Sequence, residues 1–151
     1  MGIEKDIHQV SFVSTKQKAM VNILYTYGWL LEKIKTFLAK SGITHQQFNI
    51  LRILRGSFPK PLSTLQIRER MLDKMSDTSR IVDRLVAKDL VKKTTCPTDK
   101  RLVDVVITEK GRELLKSIDG EAELVDEMMK GVSENDAEML SSLLDRLRGS
   151  E

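Results

Sequence analysis

Between Ser76 and Ile107 the sequence reads SDTSRIVDRLVAKDLVKKTTCPTDKRLVDVVI. Apolar residues in its first half recur at steps of three and four, which predicts a helix with Ser76 as its N-cap that runs to about Lys88. From Val91 onward two β-branched or alternating runs flank the turn-forming residues 96–101. The stretch therefore predicts a helix followed by a β-hairpin.

The predicted helix has an apolar and a polar face. With 3.6 residues per turn, one face is shared by Thr78, Ile81, Val82 and Leu85. The polar side chains lie roughly opposite, and they are Ser76, Ser79, Arg80 and Asp83, with Arg84 beside them. A helix of this kind either presents an ordinary solvated face or binds DNA.

The polar groups of this face suit contacts with DNA. Ser76 and the free backbone N–H groups of the first turn can bind a phosphate. Arg80 can reach O6 and N7 of guanine with its guanidinium group. Asp83 is predicted to pair with Arg80 or Arg84 and so fix the direction of that partner. These residue types are common on any surface, so the helix alone does not decide between the two interpretations.

The predicted hairpin carries basic side chains. Lys92 and Lys93 lie on its first strand, and Lys100 and Arg101 lie in its turn. Arg101 is expected to enter a narrow minor groove, where negative potential is concentrated, and Asp99 to hold its orientation. The alternative is a solvated turn whose charges keep a strand edge from aggregating. The position of the hairpin behind two short helices favours the DNA contact.

Upstream, the sequence predicts an arm over residues 1–15 and three helices. A long amphipathic helix covers residues 17–39, where apolar residues recur over about six turns. Thr44 and Gln47 form a capping box for the second helix. A loop that contains Gly, Ser and Pro then leads to a short third helix that Ser63 caps.

Downstream, the sequence predicts two more helices. Thr108 caps the first, a long helix that Gly131 ends, and Ser133 starts the last. The predicted fold is mainly α with a small β-hairpin wing. It comprises an N-terminal arm and dimerisation helix (1–40), a winged helix-turn-helix domain (41–110) and C-terminal dimerisation helices (111–151). The candidate DNA-contacting residues are Ser63, Thr64, Ser76, Thr78, Ser79, Arg80, Arg84, Lys92, Lys100 and Arg101, with Asp99 orienting the wing.

Charge is unevenly distributed along the chain, whose net charge is +3. Residues 60–112 carry 13 Lys or Arg against 8 Asp or Glu, whereas residues 113–151 carry 4 against 11. A basic middle and an acidic end indicate one face for a polyanion and another for a different partner. Ordinary solvated charge fits the same numbers, so charge alone leaves both interpretations open.

Composition excludes several classes of protein. No apolar run is long enough to cross a membrane and the N-terminus lacks the apolar stretch of a signal peptide, which predicts a cytoplasmic protein. The single cysteine, Cys96, excludes an intrachain disulfide. No nucleophile–base pair, phosphate loop or metal-ligand cluster occurs, so we expect no enzyme activity, metal or cofactor.

The sequence resembles the MarR family of bacterial regulators. The motifs that carry the resemblance are THQQF at 44–48, SRIVDRL at 79–85 leading into AKDLV at 87–91, DKR at 99–101 and ITEKG at 107–111. Two positions depart from the family pattern, which usually has glycine where Asp89 stands and arginine where Lys100 stands. Lysine keeps the charge of arginine but loses its bidentate geometry.

The resemblance implies a triangular homodimer whose N- and C-terminal helices interleave. Dimer symmetry implies a near-palindromic operator with half-sites about 34–36 Å apart. Repression is the commoner mode in the family, and small ligands, often phenolic or aromatic anions, commonly release the DNA. Such an effector would lie between the dimer helices and the winged domain, and no residue is assigned to it.

Two alternatives remain open. A winged helix can also serve as a protein–protein interaction module, which would need neither Arg80 nor Arg101. Cys96 is either a passive thiol or a redox sensor beside basic residues. The peroxide-sensing relatives carry a cysteine in the N-terminal helix, where this chain has none, which favours the passive thiol.

Overall fold

The computed structural model describes residues 2–95, 98–99 and 103–150. It divides into two compact units, a larger one that extends to Lys116 and a smaller one that begins at Ser117. The three-part division predicted from the sequence concerns function rather than compactness, and it stays a prediction.

The larger unit begins with a series of helices. They are α1 (Ile3–Asp6), α2 (Thr15–Ala39), α3 (His45–Ser57), α4 (Thr64–Arg70) and α5 (Thr78–Ala87). The predicted capping box of α3 is formed, because Thr44 Oγ1 accepts from Gln47 N at 3.1 Å while Gln47 Oε1 accepts from Thr44 N at 3.2 Å. Such caps satisfy N–H groups that the first helical turn leaves unpaired.

The predicted N-terminal arm contains the short helix α1. Ile3 is buried, and Glu4 pairs with Lys18 of α2. The hydrogen bond that the Glu4 carboxylate accepts from Lys18 is the main cause that lowers the pKa of the Glu4 carboxyl. Ser14, which the sequence analysis did not identify as a cap, accepts from Gln17 N at the start of α2.

A three-stranded antiparallel sheet contains the predicted hairpin. Its strands β1 (Leu62–Ser63), β2 (Val91–Thr95) and β3 (Val103–Ile107) stand in the order β1-β3-β2. In the hairpin Val91 pairs with Ile107, and Leu62 of β1 pairs with Val105 from the other side. The two-residue strand β1 was not predicted, because its partner lies far away in sequence and leaves no local pattern.

The long helix predicted after Thr108 is wrong in one respect. The chain instead forms α6 (Glu109–Ile118) and α7 (Glu121–Met129), with a turn at Asp119 and Gly120 between them. Glycine is unfavourable in the interior of a helix, which explains the break at Gly120. The break was not predicted because the three- and four-residue spacing of apolar residues continues across it. The last helix, α8 (Glu134–Arg148), begins as predicted, with Ser133 Oγ accepting from Asp136 N at 3.1 Å.

The core of the larger unit forms where α3, α4, α5 and the sheet pack together. Apolar side chains from all of these elements are buried in it, among them Ile50, Leu51, Leu54, Leu62, Ile67, Leu85 and Val105. The predicted alternation in β3 is confirmed, since Val105 and Ile107 are buried while Asp104 is exposed. Burial of this apolar area stabilises the arrangement of the two short helices and the hairpin.

A closely packed junction connects the end of α5 to β2 and to the start of α6. Asp89 adopts φ +59°, the left-handed conformation that glycine adopts without strain and that aspartate tolerates better than most residues. Thr108 Oγ1 donates to the Asp89 carbonyl at 2.8 Å and accepts from Gly111 N at 3.1 Å. A Cβ atom on Gly111 would lie 2.3 Å from the Leu90 carbonyl oxygen, so only glycine fits there.

Helix α2 keeps most of its apolar side chains in contact with solvent. Among its 25 residues only Leu38 is buried, whereas Met20, Leu24 and Tyr27 are each more than half exposed. Three and four residues separate Met20, Leu24 and Tyr27, so they line one side of the helix. The described helices include none that has both the length and the apolar content of a membrane span.

Candidate nucleic-acid interface

The two short helices α4 and α5 are fixed by side chains at their ends. Ser63 Oγ accepts from Gln66 N at 3.1 Å, and Gln66 Oε1 accepts from Ser63 N at 2.9 Å, which forms a second capping box. Asn49 Oδ1 of α3 accepts from Leu72 N at 2.9 Å in the turn after α4. The Ser63 hydroxyl, a predicted DNA contact, is therefore engaged in capping.

The N-cap of α5 is Asp77 and not Ser76. Asp77 Oδ1 accepts from Arg80 N at 3.2 Å, and its carboxylate also suits the positive end of the helix dipole. The Ser76 hydroxyl is buried and has no hydrogen-bond partner among the described residues. The prediction that Ser76 caps the helix is therefore wrong, because the adjacent aspartate takes that place.

Thr78 points into the core and lies on the inner face of α5. It is 4% exposed, and its hydroxyl has no hydrogen-bond partner within the described part of the chain. The physical reason is the helical spacing, which places Thr78 on the face of Ile81, Val82 and Leu85. This corrects its inclusion among the DNA-contacting residues.

The outward face of α5 is polar and basic. Ser79, Arg80 and Arg84 are all exposed. The side chain of Arg80 is 70% exposed, and its Nε lies 4.0 Å from Asp77 Oδ2. An exposed guanidinium group beside a helix N-terminus can bind a phosphate or the edge of a guanine base.

Asp83 pairs with the wing and not with the arginines of its own helix. Its Oδ1 accepts from Lys93 Nζ at 2.8 Å, and the side chains are 62% and 37% exposed, respectively. The predicted pairing with Arg80 or Arg84 is wrong because β2 runs beside α5 and brings Lys93 within reach. The pair links the outward face of the helix to the first strand of the wing.

A cleft of about 360 Å³ opens between the starts of α4 and α5. Its lining residues are Thr64, Leu65, Arg68, Ser76, Asp77, Thr78 and Ser79. Arg68 was missed as a candidate, although it follows Thr64 by four residues and so shares its side of α4. That spacing was the signal in the sequence that could have identified it.

The wing contributes Lys92, which is exposed on β2. Asp99 is half-buried. Lys100, Arg101 and Cys96 lie outside the described residues, so their predicted roles at the tip stay predictions. Among the described residues no group of three His, Cys, Asp or Glu side chains is arranged to hold a metal ion.

Comparison with known proteins relates most of the chain to one family. A family model described as the MarR family matches residues 41–102. The HTH-type transcriptional regulator MhqR of Bacillus subtilis (strain 168) is 31% identical over 132 residues, which cover 86% of this chain and 89% of that protein.

Solved structures share the fold. A putative MarR-like transcription regulator from Bacillus cereus ATCC 10987 has a TM-score of 0.77 at 21% identity and covers 89% of this chain and 96% of its own. A mutant MarR from E. coli, in complex with operator DNA, has a TM-score of 0.76 at 21% identity. The match covers 91% of this chain and 99% of the E. coli chain. These matches confirm the predicted winged helix-turn-helix architecture.

Proposed function

The chain belongs to the MarR family of transcription regulators, and from this premise we propose that it is a repressor that binds a near-palindromic operator as a homodimer. A small aromatic or anionic ligand releases the DNA. The observation that carries the proposal is the exposed basic face of α5, with Ser79, Arg80 and Arg84 beside the cleft that Arg68 lines.

In the proposed complex α5 lies in the major groove. Arg80 contacts guanine O6 and N7, because its guanidinium group is exposed and extends from the first turn of the helix. Thr64 and Ser79, which line the cleft, contact the phosphate backbone together with Arg68. Lys92, Lys100 and Arg101 bring the wing to the sugar–phosphate backbone and the minor groove.

The proposed homodimer uses the exposed apolar side chains of α2 and α8. Met20, Leu24 and Tyr27 of α2 are at least half exposed, and Leu143 and Leu147 of α8 are also exposed. Surfaces of this kind on a small protein mark sites of association. The E. coli MarR mutant was solved with operator DNA, and we propose the same kind of partner for this chain. Two-fold symmetry then requires half-sites about 34–36 Å apart.

The test is titration of labelled DNA from upstream of the protein's own gene at several salt concentrations. We expect a specific complex whose log affinity falls linearly with log salt, with a slope of about −0.9 for each phosphate contact. An Arg80→Gln variant reports on base recognition, and Lys92→Gln reports on one phosphate contact. Absence of binding to bulk DNA even at low salt contradicts the proposal and favours a protein–protein interaction module.

A further inference from the structure

Asp83 is an acidic side chain on the same face of α5 as the exposed arginines Arg80 and Arg84. It lies on the outward side of α5 with Arg80, and its side chain is 62% exposed. If the proposed function holds, this surface faces the negatively charged phosphates of DNA. A carboxylate at this place opposes binding to DNA in general, because like charges repel.

The local structure of α5 does not require an aspartate at this position. Asp77 supplies the N-cap, and Asp83 lies in the interior of the helix, where aspartate is among the less favourable residues. The ion pair with Lys93 is partly exposed, and exposed pairs contribute little to stability. A role in binding therefore explains the residue better than a role in folding.

Lys93 restrains the carboxylate of Asp83. The 2.8 Å hydrogen bond from Lys93 Nζ holds Asp83 Oδ1 from a neighbouring strand, and the positive charge reduces the repulsion from phosphates. A carboxylate that is held in place on the outward face of a major-groove helix can accept a hydrogen bond from the exocyclic amino group of cytosine. Adenine N6 is also an amino donor, but it lies between two acceptors, adenine N7 and thymine O4, which repel a carboxylate. Cytosine N4 has only one acceptor beside it, guanine O6, so cytosine is the more favourable partner.

We propose that Asp83 is a specificity-determining residue that accepts a hydrogen bond from cytosine N4 in each half-site, and that Lys93 is the residue that positions it. The inference rests on the proposed function and adds to it the identity of one recognised base. Asp83 disfavours DNA that lacks the cytosine, so it separates operator from other sequences more than it adds affinity.

The test is selection of double-stranded DNA from a randomised pool, followed by measurement of Kd for the selected site and its single-base-pair variants. Asp83→Asn is expected to lose the cytosine and to favour adenine there, because asparagine pairs with adenine N6 and N7. The preference at that one base pair should change by about 5- to 150-fold. Affinity for bulk DNA should stay the same or rise.

Asp126→Asn is the matched control, since it removes the same charge from an exposed aspartate of α7. It should select the wild-type sequence. The inference is overturned if Asp83→Asn also selects the wild-type sequence with unchanged discrimination. If the wild-type protein selects no sequence at all, the proposed function itself fails, which is a different result.

A Lys93→Gln variant tests the positioning role. We expect weaker discrimination at the base pair that Asp83 reads and unchanged preferences elsewhere. Equal loss of affinity for all sequences, with the salt slope reduced by about one contact, would instead make Lys93 a phosphate-binding residue and overturn its positioning role. Circular dichroism checks the fold of each variant, and Asp83→Ser replaces Asp83→Asn if the latter unfolds.

Discussion

Among single residues, Arg80 is one whose substitution should weaken the proposed DNA binding while leaving stability almost unchanged. Its side chain is 70% exposed, so Arg80→Gln should change stability by less than about 0.5 kcal/mol. Loss of a bidentate guanine contact should lower operator affinity by about 1–3 kcal/mol. Fluorescence anisotropy with operator and scrambled DNA measures this change, and Arg146→Gln on α8 is the control. An equal loss on both DNAs would show that Arg80 contacts phosphate only.

At Gly111 the addition of a single methyl group should have a large effect on stability. A Cβ atom there would lie 2.3 Å from the Leu90 carbonyl oxygen and 2.8 Å from Ile107 Cγ1. Gly111→Ala should therefore destabilise the protein by about 1–3 kcal/mol or more, because the backbone of the junction must move. Chemical denaturation measures the free energy of unfolding.

Gly56→Ala is the matched control for this prediction. Gly56 lies in α3, and a Cβ atom there meets nothing within 4 Å. The variant should be neutral or more stable by up to about 1 kcal/mol, because alanine is the better helix former. Equal stability of the two variants would contradict the close approach at Gly111.

The sequence predicts which side chains of α5 are buried or exposed better than it predicts which side chains form ion pairs. Exposed Arg80 and buried Leu85 follow from helical spacing. The same spacing also places Thr78 with the buried side chains, and its choice as a DNA contact went against that pattern. The Asp83–Lys93 pair depends on how β2 lies beside the helix, which residue spacing along one helix does not indicate.

Among the elements, α5 offers a direct test of its cap. Asp77→Ala should cost about 0.5–2 kcal/mol of stability, because Arg80 N loses its acceptor. Ser76→Ala should cost less or even stabilise, because its buried hydroxyl has no partner among the described residues. Thermal unfolding of both variants measures the difference, and a larger loss for Ser76→Ala would restore the serine as the cap.

Helix starts could be predicted from the sequence where a cap is unambiguous. Thr44 with Gln47 and Ser133 each mark a helix that begins where expected. The prediction failed where two capping residues stand together, at Ser76 and Asp77, because packing chooses between them. It also missed the break at Gly120, since a single glycine is tolerated in many helices.

For the whole molecule, the proposed homodimer predicts that a charge on the apolar side of α2 separates the copies. Leu24 is 63% exposed within a single chain, so a chain with Leu24→Glu should still fold. Burying the added carboxylate against a second copy is unfavourable. Sedimentation should show a shift to monomer, and operator affinity should fall by about 10²-fold or more as the two binding domains lose their linkage.

Asn22→Glu is the control, because Asn22 is exposed on roughly the opposite side of α2 from Leu24. It should remain dimeric. A Leu24→Glu protein that stays dimeric would show that another surface joins the copies.

The sequence predicted the order of helices and hairpin because each of them has its own periodicity and turn residues. It could not predict β1, whose two residues pair with β3 about forty positions later. Lys100 and Arg101 lie outside the described residues, and their place in the interface stays a prediction.

The exposed helix α2 has a consequence for the lifetime of the protein in a cell. Because Leu38 is its only buried residue within one copy, a newly made chain offers proteases a helix that opens locally at little cost. Pairing in the proposed homodimer is expected to protect it, and such pairing increases with concentration by mass action. We therefore expect scarce chains to be degraded faster than abundant ones. The steady-state level of the protein should therefore rise more than proportionally with its rate of synthesis. Regulation by this protein would then have a threshold.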